Sequence, residues 1–288
     1  MKTKTNLILC QTIKEIRNIV NSFKAQNNTI GLVPTMGALH KGHISLIEES
    51  LKCMDKTIVT IFVNPMQFND NNDLDKYPRT LDNDLEICNK LGIAAVFAPN
   101  NSEMYPDNPV FKVLPPDFYT DKLCGISRPG HFDGVTTVVT KLFNITSPDK
   151  AFFGLKDAQQ LFIIKKMVEF LNIPVEIISC PTQREPDGLA CSSRNLTLDA
   201  NSRKIAPKLY DSLCFIKTQY LSGETDFIKL SEIVQNEMLG KFNEINLDYL
   251  MAYNYSNLNL VTKLTSNTLI AIAARVGTVR LIDNIVLD

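Results

Sequence analysis

The sequence predicts an α/β protein with a parallel sheet in a first domain, residues 1–182, and a smaller α+β domain in residues 183–288. Short apolar, β-branched runs alternate with segments of helical period as far as residue 180. Two helical segments and three short strand-like runs then complete the chain. With 288 residues, of which 44% are hydrophobic and 21% charged, both domains can bury an ordinary core.

The order of the elements supports this division. In the first domain the predicted strands are 29–33, 57–63, 92–98, 150–153 and 174–180, and the predicted helices between them are 43–54, 81–91, 134–145 and 157–171. Strands separated by helices pair in parallel, which is typical of a Rossmann-like sheet with helices on both faces. In the second domain we predict helices 200–220 and 226–241 and strands 245–253, 268–274 and 278–283. Residues 64–80 form a polar loop whose length is typical of functional loops.

Composition excludes several classes of function. Thirty basic and 31 acidic residues give a net charge of −1, which argues against nucleic-acid binding through bulk charge. The seven cysteines are odd in number and never form Cys-x-x-Cys, so neither a disulfide framework nor a zinc knuckle is expected. The apolar run 7–10 is too short for a signal peptide, and no uncharged run reaches membrane-spanning length. We therefore expect a cytoplasmic protein with no membrane partner.

The first candidate site lies between a predicted strand and a predicted helix, in Pro34-Thr-Met-Gly-Ala-Leu-His-Lys-Gly-His43. Ligands bind parallel sheets at the carboxyl ends of the strands, and a helix start favours phosphate. The spacing puts His40 and His43 on one side of the first helical turn, where both could donate to phosphate oxygens. A metal site lacks an evident third ligand, since the only other histidine is His131. An isolated His-x-x-His is often accidental. The segment also lacks the G-x-G-x-x-G motif of standard dinucleotide-binding folds, which weakens the case for such a fold.

The whole pattern resembles the His-x-Gly-His signature of the nucleotidyltransferase superfamily, and its Pro-Thr-Met-Gly prefix resembles the pantothenate synthetase family. This resemblance implies a ligase of coenzyme A biosynthesis that condenses (R)-pantoate with β-alanine. ATP would be the co-substrate, and AMP and diphosphate would be released by way of a pantoyl-adenylate. It also implies a need for Mg²⁺ and assembly as a homodimer.

Later segments extend the resemblance over nearly the whole chain. Ile61-Phe-Val-Asn-Pro-Met-Gln-Phe68 carries Gln67, which in the family holds pantoate and β-alanine. The alternative is a turn packed by its apolar residues. Asp82-Asn-Asp84 stands where family members often have three acids tied to magnesium. Asp84, directly or through water, is the expected ligand, ahead of Asp82. The alternative is a solvated acidic helix start.

Two further matches surround the middle of the chain. Ser127-Arg-Pro-Gly-His-Phe-Asp-Gly134 contains Arg128 and His131, which either line the mouth of the site or cap a helix. Phe153-Gly-Leu-Lys-Asp-Ala-Gln-Gln160 again joins a strand to a helix, and places Lys156 where it could meet phosphate. The family usually has Glu at the position of Leu155 and an aromatic residue at that of Ala158.

The last match, Arg184-Glu-Pro-Asp-Gly-Leu-Ala-Cys-Ser-Ser-Arg-Asn195, resembles the mobile loop that closes on ATP phosphates. The alternative is a solvated linker between the domains. Cys191 replaces the usual Met of the family. Residues 273–284 also resemble the family's C-terminus, with a structural role.

The resemblance assigns each site residue a role. The residues expected to bind ATP are Met36, Gly37, His40, His43, Gly154, Lys156, Asp157, Gln183, Cys191, Ser192, Ser193 and Arg194. The residues expected to hold pantoate and β-alanine are Pro34, Met36, Gln67 and Gln160. The expected catalytic set is His40, His43, Lys156, Ser192 and Arg194. The reaction requires no covalent enzyme nucleophile, so none of the cysteines needs a catalytic role. The alternatives left open are another adenylyl- or cytidylyltransferase and a non-catalytic nucleotide-binding protein.

Overall fold

The computed structural model of the protein describes residues 7–69, 71–106 and 109–288, without the side chains of residues 71–72. The described chain divides into two compact units. The first unit extends to Leu155 and includes Gln159–Pro181, whereas the second comprises Lys156–Ala158 and Thr182–Asp288. The short segment Lys156–Ala158 is therefore part of the second unit, although it lies within the sequence of the first.

The first unit contains a six-stranded parallel sheet in the order β1-β4-β3-β2-β5-β6. Its strands are Ile8–Cys10 (β1), Ile30–Thr35 (β2), Lys56–Ile61 (β3), Ala95–Phe97 (β4), Lys150–Gly154 (β5) and Glu176–Cys180 (β6). Its helices are Ile13–Ala25 (α1), Lys41–Cys53 (α2), Asn71–Lys76 (α3), Leu81–Leu91 (α4), Asn101–Met104 (α5), Asp117–Thr120 (α6), Cys124–Ser127 (α7), His131–Thr146 (α8) and, from Gln159 onward, Ala158–Phe170 (α9).

The strand order places a topological switch point beside β2. From β2 the chain builds the sheet in one direction through β3 and β4, and later adds β5 and β6 on the other side. Ligands of open parallel sheets bind at such a point, beyond the carboxyl ends of the strands. The carboxyl end of β2 is where the Pro34–His43 segment begins. The predicted fold class is confirmed.

Helix α2 is fixed firmly against this sheet. Leu46 and Ile47 are buried on its inner face, in a cluster with Val33 and Val59 of the central strands. The Ser50 hydroxyl is fully buried and lies 2.8 Å from the Thr57 hydroxyl of β3. Because the body of α2 is packed in this way, its first turn has a defined position relative to the carboxyl end of β2.

The second unit is an α+β layer. It contains Ala200–Ile205 (α10), Lys208–Leu221 (α11), Phe227–Ile233 (α12) with a following π-helical turn, Ile245–Asn254 (β7), Thr268–Val276 (β8) and Val279–Val286 (β9). The strands form an antiparallel sheet in the order β7-β8-β9. Leu213 and Ile216 of α11 are in one buried cluster with Ile270 and Ile272 of β8. The helices thus cover one apolar face of the sheet.

Some elements differ from the sequence-based prediction. Strand β1 and helix α1 were not predicted. The predicted helix 200–220 is two helices, because Pro207 interrupts it. The predicted loop 64–80 contains a 3₁₀ turn, Pro65–Gln67, and helix α3; residue 70 of this loop lies outside the described residues. Within the described ranges, the structure has no helix that is both long and apolar enough to cross a bilayer.

Candidate active site

The first turn of α2 is capped by two histidines. His40 is the N-cap residue, and its Nδ1 accepts a hydrogen bond from the backbone N–H of Gly42 at 3.1 Å. In return, Nδ1 of His43 accepts from the backbone N–H of His40 at 3.4 Å. The imidazoles thus perform the reciprocal capping that Ser and Glu usually perform. Because both Nδ1 atoms are acceptors, the proton of each neutral ring is on Nε2.

This arrangement makes the histidine pair a double hydrogen-bond donor. The ring centroids are 4.1 Å apart, with an interplanar angle of 34°. Both rings are only partly buried. Two Nε2–H groups at the positive end of a helix are suited to an anionic oxygen. The structure therefore brings His40 and His43 together as predicted from their spacing.

The loop before α2 is held by Asp84. Its Oδ2 accepts from the backbone N–H of Ala38 at 2.9 Å and its Oδ1 from that of Leu39 at 2.8 Å. The Thr80 hydroxyl donates to Oδ2 at 3.2 Å. Gly37 and Ala38 are in the left-handed region, with φ of 82° and 49°. A Cβ atom on Gly37 would lie 3.0 Å from Asp84 Oδ2, so glycine allows this close approach.

These contacts do not fit the expected role of Asp84 as a direct magnesium ligand. Its side chain is fully buried, and both carboxylate oxygens already accept hydrogen bonds. Asp82 is exposed on the first turn of α4. Among the described residues, no group of three or more His, Cys, Asp or Glu side chains could hold a metal. The contacts instead give Asp84 the role of anchor for the Gly37–Leu39 backbone.

Gln67 ends the 3₁₀ turn that follows β3. Its side chain is buried, and its Oε1 accepts from Asn64 Nδ2 at 3.1 Å. Its Nε2 lies 3.2 Å from the sulfur of Met36. Asn64 also accepts from the Tyr105 hydroxyl at 2.9 Å. The carboxamide of Gln67 is therefore oriented from two sides, beside a partly exposed Met36 and Pro34.

Sequence reasoning missed Asn64. It is almost completely buried, and it also donates to the Gly134 carbonyl at 3.0 Å. An asparagine immediately after a buried strand, at the start of Asn-Pro-Met-Gln, was the available signal.

Arg128 and His131 support the same turn. The carbonyl oxygen of Gln67 accepts from His131 Nδ1 at 2.8 Å and from Arg128 Nη2 at 3.1 Å. Arg128 Nη1 lies 3.3 Å from His131 Nε2, so the neutral ring donates from Nδ1 and accepts at Nε2. The N-cap position of α8 is occupied by Gly130. Of the two predicted alternatives, helix capping is therefore not their role.

The two adjacent glutamines of α9 have different environments. The carboxamide of Gln159 is used inside the fold, where it bonds the N–H of Cys124 and the carbonyls of Tyr119 and Lys122. Gln160 is partly exposed. Gly154, another predicted ATP-binding residue, is the last residue of β5 and pairs with Cys180 of β6. The role of Gln160 in holding pantoate stays a prediction.

Two buried thiols of the first unit, those of Cys88 and Cys180, have raised pKa values. Burial raises the pKa of Cys180 to about 11 and that of Cys88 to about 12. Both thiols are therefore protonated at neutral pH and are poor nucleophiles.

In the second unit, Lys156 and Asp157 lie in a short 3₁₀ turn. The Lys156 side chain is one-fifth exposed, and its Nζ lies 3.8 Å from Asp157 Oδ2. Its carbonyl oxygen accepts from Asn284 Nδ2 at 2.9 Å. The turn is thus bonded to β9 through its backbone.

The segment 183–191 is a hairpin. Arg184 and Ala190 form an antiparallel bridge, and the backbone N–H of Cys191 donates to the carbonyl of Gln183, an exposed residue, at 2.9 Å. The Cys191 side chain is buried, with its sulfur 3.5 Å from Glu185 Oε1. This regular, hydrogen-bonded structure is not the solvated linker that was the alternative prediction.

The hairpin leads directly into the Ser192–Arg194 segment. Ser192 caps a 3₁₀ turn, Ser193–Thr197, by accepting from the backbone N–H of Arg194 at 3.3 Å. Ser193 is buried, whereas Ser192 and Arg194 are partly exposed. The capping bond uses the Ser192 oxygen as acceptor, which leaves its O–H as a donor.

Fold and site together define the class of protein: an α/β enzyme with anion-directed donors at the carboxyl edge of its parallel sheet. A family model described as pantoate-beta-alanine ligase matches residues 8–286. The chain belongs to the pantoate–β-alanine ligase family, and the predicted resemblance is confirmed.

Relatives in sequence agree with this assignment. The pantothenate synthetase of Caldicellulosiruptor saccharolyticus is 48% identical over 283 residues, covering 98% of this chain and 100% of the relative. That of Clostridium botulinum strain Loch Maree is 49% identical, covering 96% of this chain and 98% of the relative.

Solved structures agree as well. A crystal structure of pantothenate synthetase from Thermus thermophilus has a TM-score of 0.91 at 36% identity, and covers 96% of this chain and 98% of its own. The pantoate–β-alanine ligase of Francisella tularensis, in complex with beta-gamma ATP and β-alanine, has a TM-score of 0.83 at 40% identity and covers 98% of each chain.

Proposed function

We propose that this ligase condenses (R)-pantoate with β-alanine through a pantoyl-adenylate formed from ATP. The overall reaction, ATP-dependent ligation of pantoate and β-alanine, is that of its family. The observation that carries the proposed course is the capped histidine pair. Nδ1 of each ring bonds the helix backbone, which makes each Nε2 a donor at the start of α2.

In the first step, a carboxylate oxygen of pantoate attacks the α-phosphorus of ATP. A new O–P bond forms, the bond to the β-phosphate oxygen breaks, and diphosphate leaves with the electron pair. Negative charge grows on the phosphoryl oxygens, where fixed N–H donors stabilise the transition state more than the ground state. We assign this role to His40 and His43, with Lys156, Ser192 and Arg194 acting on the phosphates.

In the second step, the amine of β-alanine attacks the activated carbonyl carbon. A C–N bond forms, the C–O bond to AMP breaks, and the amine releases a proton as AMP departs as an anion. No enzyme nucleophile takes part, in keeping with the raised thiol pKa of Cys88 and Cys180. Alignment of the three reactants supplies a further contribution, which can reach ~7–11 kcal/mol for such steps.

We assign recognition of pantoate to Gln67 and Gln160, with Pro34 and Met36 as the apolar wall. A carboxamide offers both a donor and an acceptor to a hydroxy acid. Gln67 is oriented by Asn64, Met36 and the two bonds to its own carbonyl. Gly37, Gly154, Asp157, Gln183, Cys191 and Ser193 complete the proposed ATP contacts.

We propose that Mg²⁺ binds together with ATP, mainly through the phosphates of the nucleotide. Because Asp84 has both oxygens engaged, the protein offers no preformed cage within its described part. Magnesium bound to nucleotides takes most of its ligands from phosphate and water. We also propose that the chain is a homodimer, for which light scattering should give twice the mass of one chain.

Product analysis tests the proposal. With ATP, pantoate and β-alanine, mass spectrometry should show pantothenate and AMP in equal amounts, together with diphosphate. Without β-alanine, a single turnover should yield diphosphate and a mass equal to pantoyl-adenylate. ADP and phosphate in place of AMP and diphosphate would contradict adenylation. Pantothenate formed without any trace of the adenylate in rapid-quench samples would contradict the two-step course.

A further inference from the structure

Two neighbouring residues of β9 bind the two candidate phosphate-directed segments of the second unit. Asp283 bonds the 183–191 hairpin, and Asn284 bonds the turn that carries Lys156. We propose that Asp283 and Asn284 are positioning residues that set the arrangement of Lys156 and Ser192–Arg194 for ATP. This inference rests on the proposed function and extends it to residues that touch no reacting atom.

The hairpin is held through Arg184. Its Nη1 and Nη2 donate to the two carboxylate oxygens of Asp283 at 2.6 and 2.9 Å. Both side chains are largely buried, with 17% and 5% of their surfaces exposed. The guanidinium also lies 3.5 Å from the ring centre of Tyr210. A buried bidentate ion pair of this kind fixes the orientation of the guanidinium relative to the carboxylate as well as the distance between them.

The same guanidinium closes the hairpin itself. Arg184 Nη1 also donates to the Gly188 carbonyl at 3.0 Å, across the turn. The Cys191 N–H reaches back to Gln183, and Asn195 Nδ2 donates to the Ala190 carbonyl at 3.0 Å. The hairpin that leads into Ser192 is thus closed by several bonds of its own and tied to Asp283 through Arg184.

Asn284 performs the second attachment. Its Nδ2 donates to the Lys156 carbonyl at 2.9 Å, and its own backbone N–H donates to Asp283 Oδ1 at 2.8 Å. Its carbonyl oxygen accepts a long bond of 3.4 Å from Arg184 Nη2. The attachments of the turn and the hairpin therefore share the Asp283 Oδ1 atom, which accepts from both Arg184 and Asn284.

The chain provides a matched control in the same strand. Arg280 of β9 pairs with Asp248 of β7 through Nε, at 2.6 Å, with 18% and 26% of the side chains exposed. Tyr249 lies beside this guanidinium, 6.0 Å from ring centre to Cζ. The control pair has the same residue types, an arginine of similar burial and an adjacent tyrosine, but its aspartate is more exposed and it joins β9 to β7.

The test compares Asn284→Ala and Arg184→Lys with Arg280→Lys. Arg184→Lys keeps the charge and removes the two-pronged geometry, so it avoids an unpaired buried carboxylate. In steady-state assays we expect both test variants to lose about 10- to 100-fold in kcat/KM for ATP, with KM for pantoate changed less than about twofold. Arg280→Lys should keep both values. Asn284→Gln, which retains the amide donor, should recover part of the loss.

Amide hydrogen exchange gives a readout that does not depend on turnover. Exchange at Cys191 and Leu189 should accelerate about tenfold or more in Arg184→Lys and remain unchanged in Arg280→Lys. Wild-type kcat/KM for ATP in Asn284→Ala, or equal losses for ATP and pantoate, would overturn the proposal. If the wild type makes no pantothenate, the proposed function fails, whereas unchanged exchange in Arg184→Lys refutes the positioning role itself.

Discussion

Each unit of this protein anchors a candidate functional segment on a buried aspartate, but the two anchors differ in kind. Asp84 accepts backbone N–H groups of the loop itself, whereas Asp283 accepts a guanidinium carried by the hairpin. Their side chains are 0% and 5% exposed, so burial is nearly the same.

The difference concerns where the constraint acts. Backbone bonds to Asp84 fix the Ala38–Leu39 peptides directly, immediately before the histidine pair. An ion pair to Asp283 fixes one side chain, and the hairpin backbone is constrained through it. We therefore expect damage to the first anchor to lower stability and turnover together, and damage to the second to affect ATP handling with a smaller loss of stability.

The largest expected effect is loss of the histidine donor in the first unit. His43→Ala should lower kcat by about 10²-fold or more, as for other lost transition-state donors. Its capping bond is worth only ~1 kcal/mol, so the protein should still fold. Ser45→Ala, in the same turn of α2, removes a local bond to the Gly42 carbonyl and should leave kcat intact. Near-normal turnover in a folded His43→Ala protein would reject the donor role.

The second largest effect is expected when the first anchor, Asp84, is removed. Asp84→Ala leaves the buried N–H groups of Ala38 and Leu39 without their acceptor, at a cost of ~1–3 kcal/mol each. Urea denaturation should show this loss, accompanied by lower kcat. Asp82→Ala, on the exposed start of α4, should cost less than ~1 kcal/mol. If Asp84→Asn instead keeps its stability and only raises the Mg²⁺ requirement, Asp84 is a metal ligand after all.

A smaller effect is expected on substrate affinity, where variants of the first unit should affect pantoate and variants of the second should affect ATP. Gln67→Ala should raise KM for pantoate about tenfold, corresponding to ~1.4 kcal/mol for a lost polar contact, with little change for ATP. Arg194→Ala should do the reverse. Isothermal titration with each ligand alone gives the same comparison without turnover. Equal losses for both ligands in either variant would contradict this division of roles.

Effects of a size similar to that of Gln67→Ala are expected at two glycines with positive φ, one in each unit. Gly37→Ala and Gly188→Ala, at φ of 82° and 91°, should each cost ~1–2 kcal/mol. Their new methyl groups would approach Asp84 Oδ2 at 3.0 Å and Tyr210 Cδ1 at 2.7 Å. The first should lower kcat and the second should raise KM for ATP. Gly223 has a φ of 98° and no atom within 4 Å of an added Cβ. In Gly223→Ala, the fall in melting temperature should therefore report the backbone strain without a steric contribution.

The sequence was sufficient for the fold class and the family because both depend on local patterns. Alternating strands and helices, and the contiguous 34–43 motif, are visible without tertiary information. Strand β1, with three residues, offers too short a pattern. Helix α1 did carry a signal, the Thr12 and Glu15 capping box, which predicts a helix start. Domain boundaries and individual site roles stay predictions.

The anchors were beyond sequence reasoning because they join distant residues. An acidic residue at a helix start looks the same whether it is solvated, like Asp82, or buried against a loop 45 residues away, like Asp84. The bond between Asn284 and Lys156 spans 128 residues. Only the folded chain shows that a C-terminal segment expected to be structural also holds the turn of Lys156.

The second unit is discontinuous along the chain, since Lys156–Ala158 belongs to it. A polypeptide that begins at Thr182 would lack the Lys156 carbonyl, and the Asn284 amide of β9 would bond water in its place. A separately produced second half should therefore be less stable by about 1 kcal/mol than one that keeps this turn. During synthesis, Lys156 leaves the ribosome 128 residues before Asn284, so the turn can be completed only after β9 has emerged.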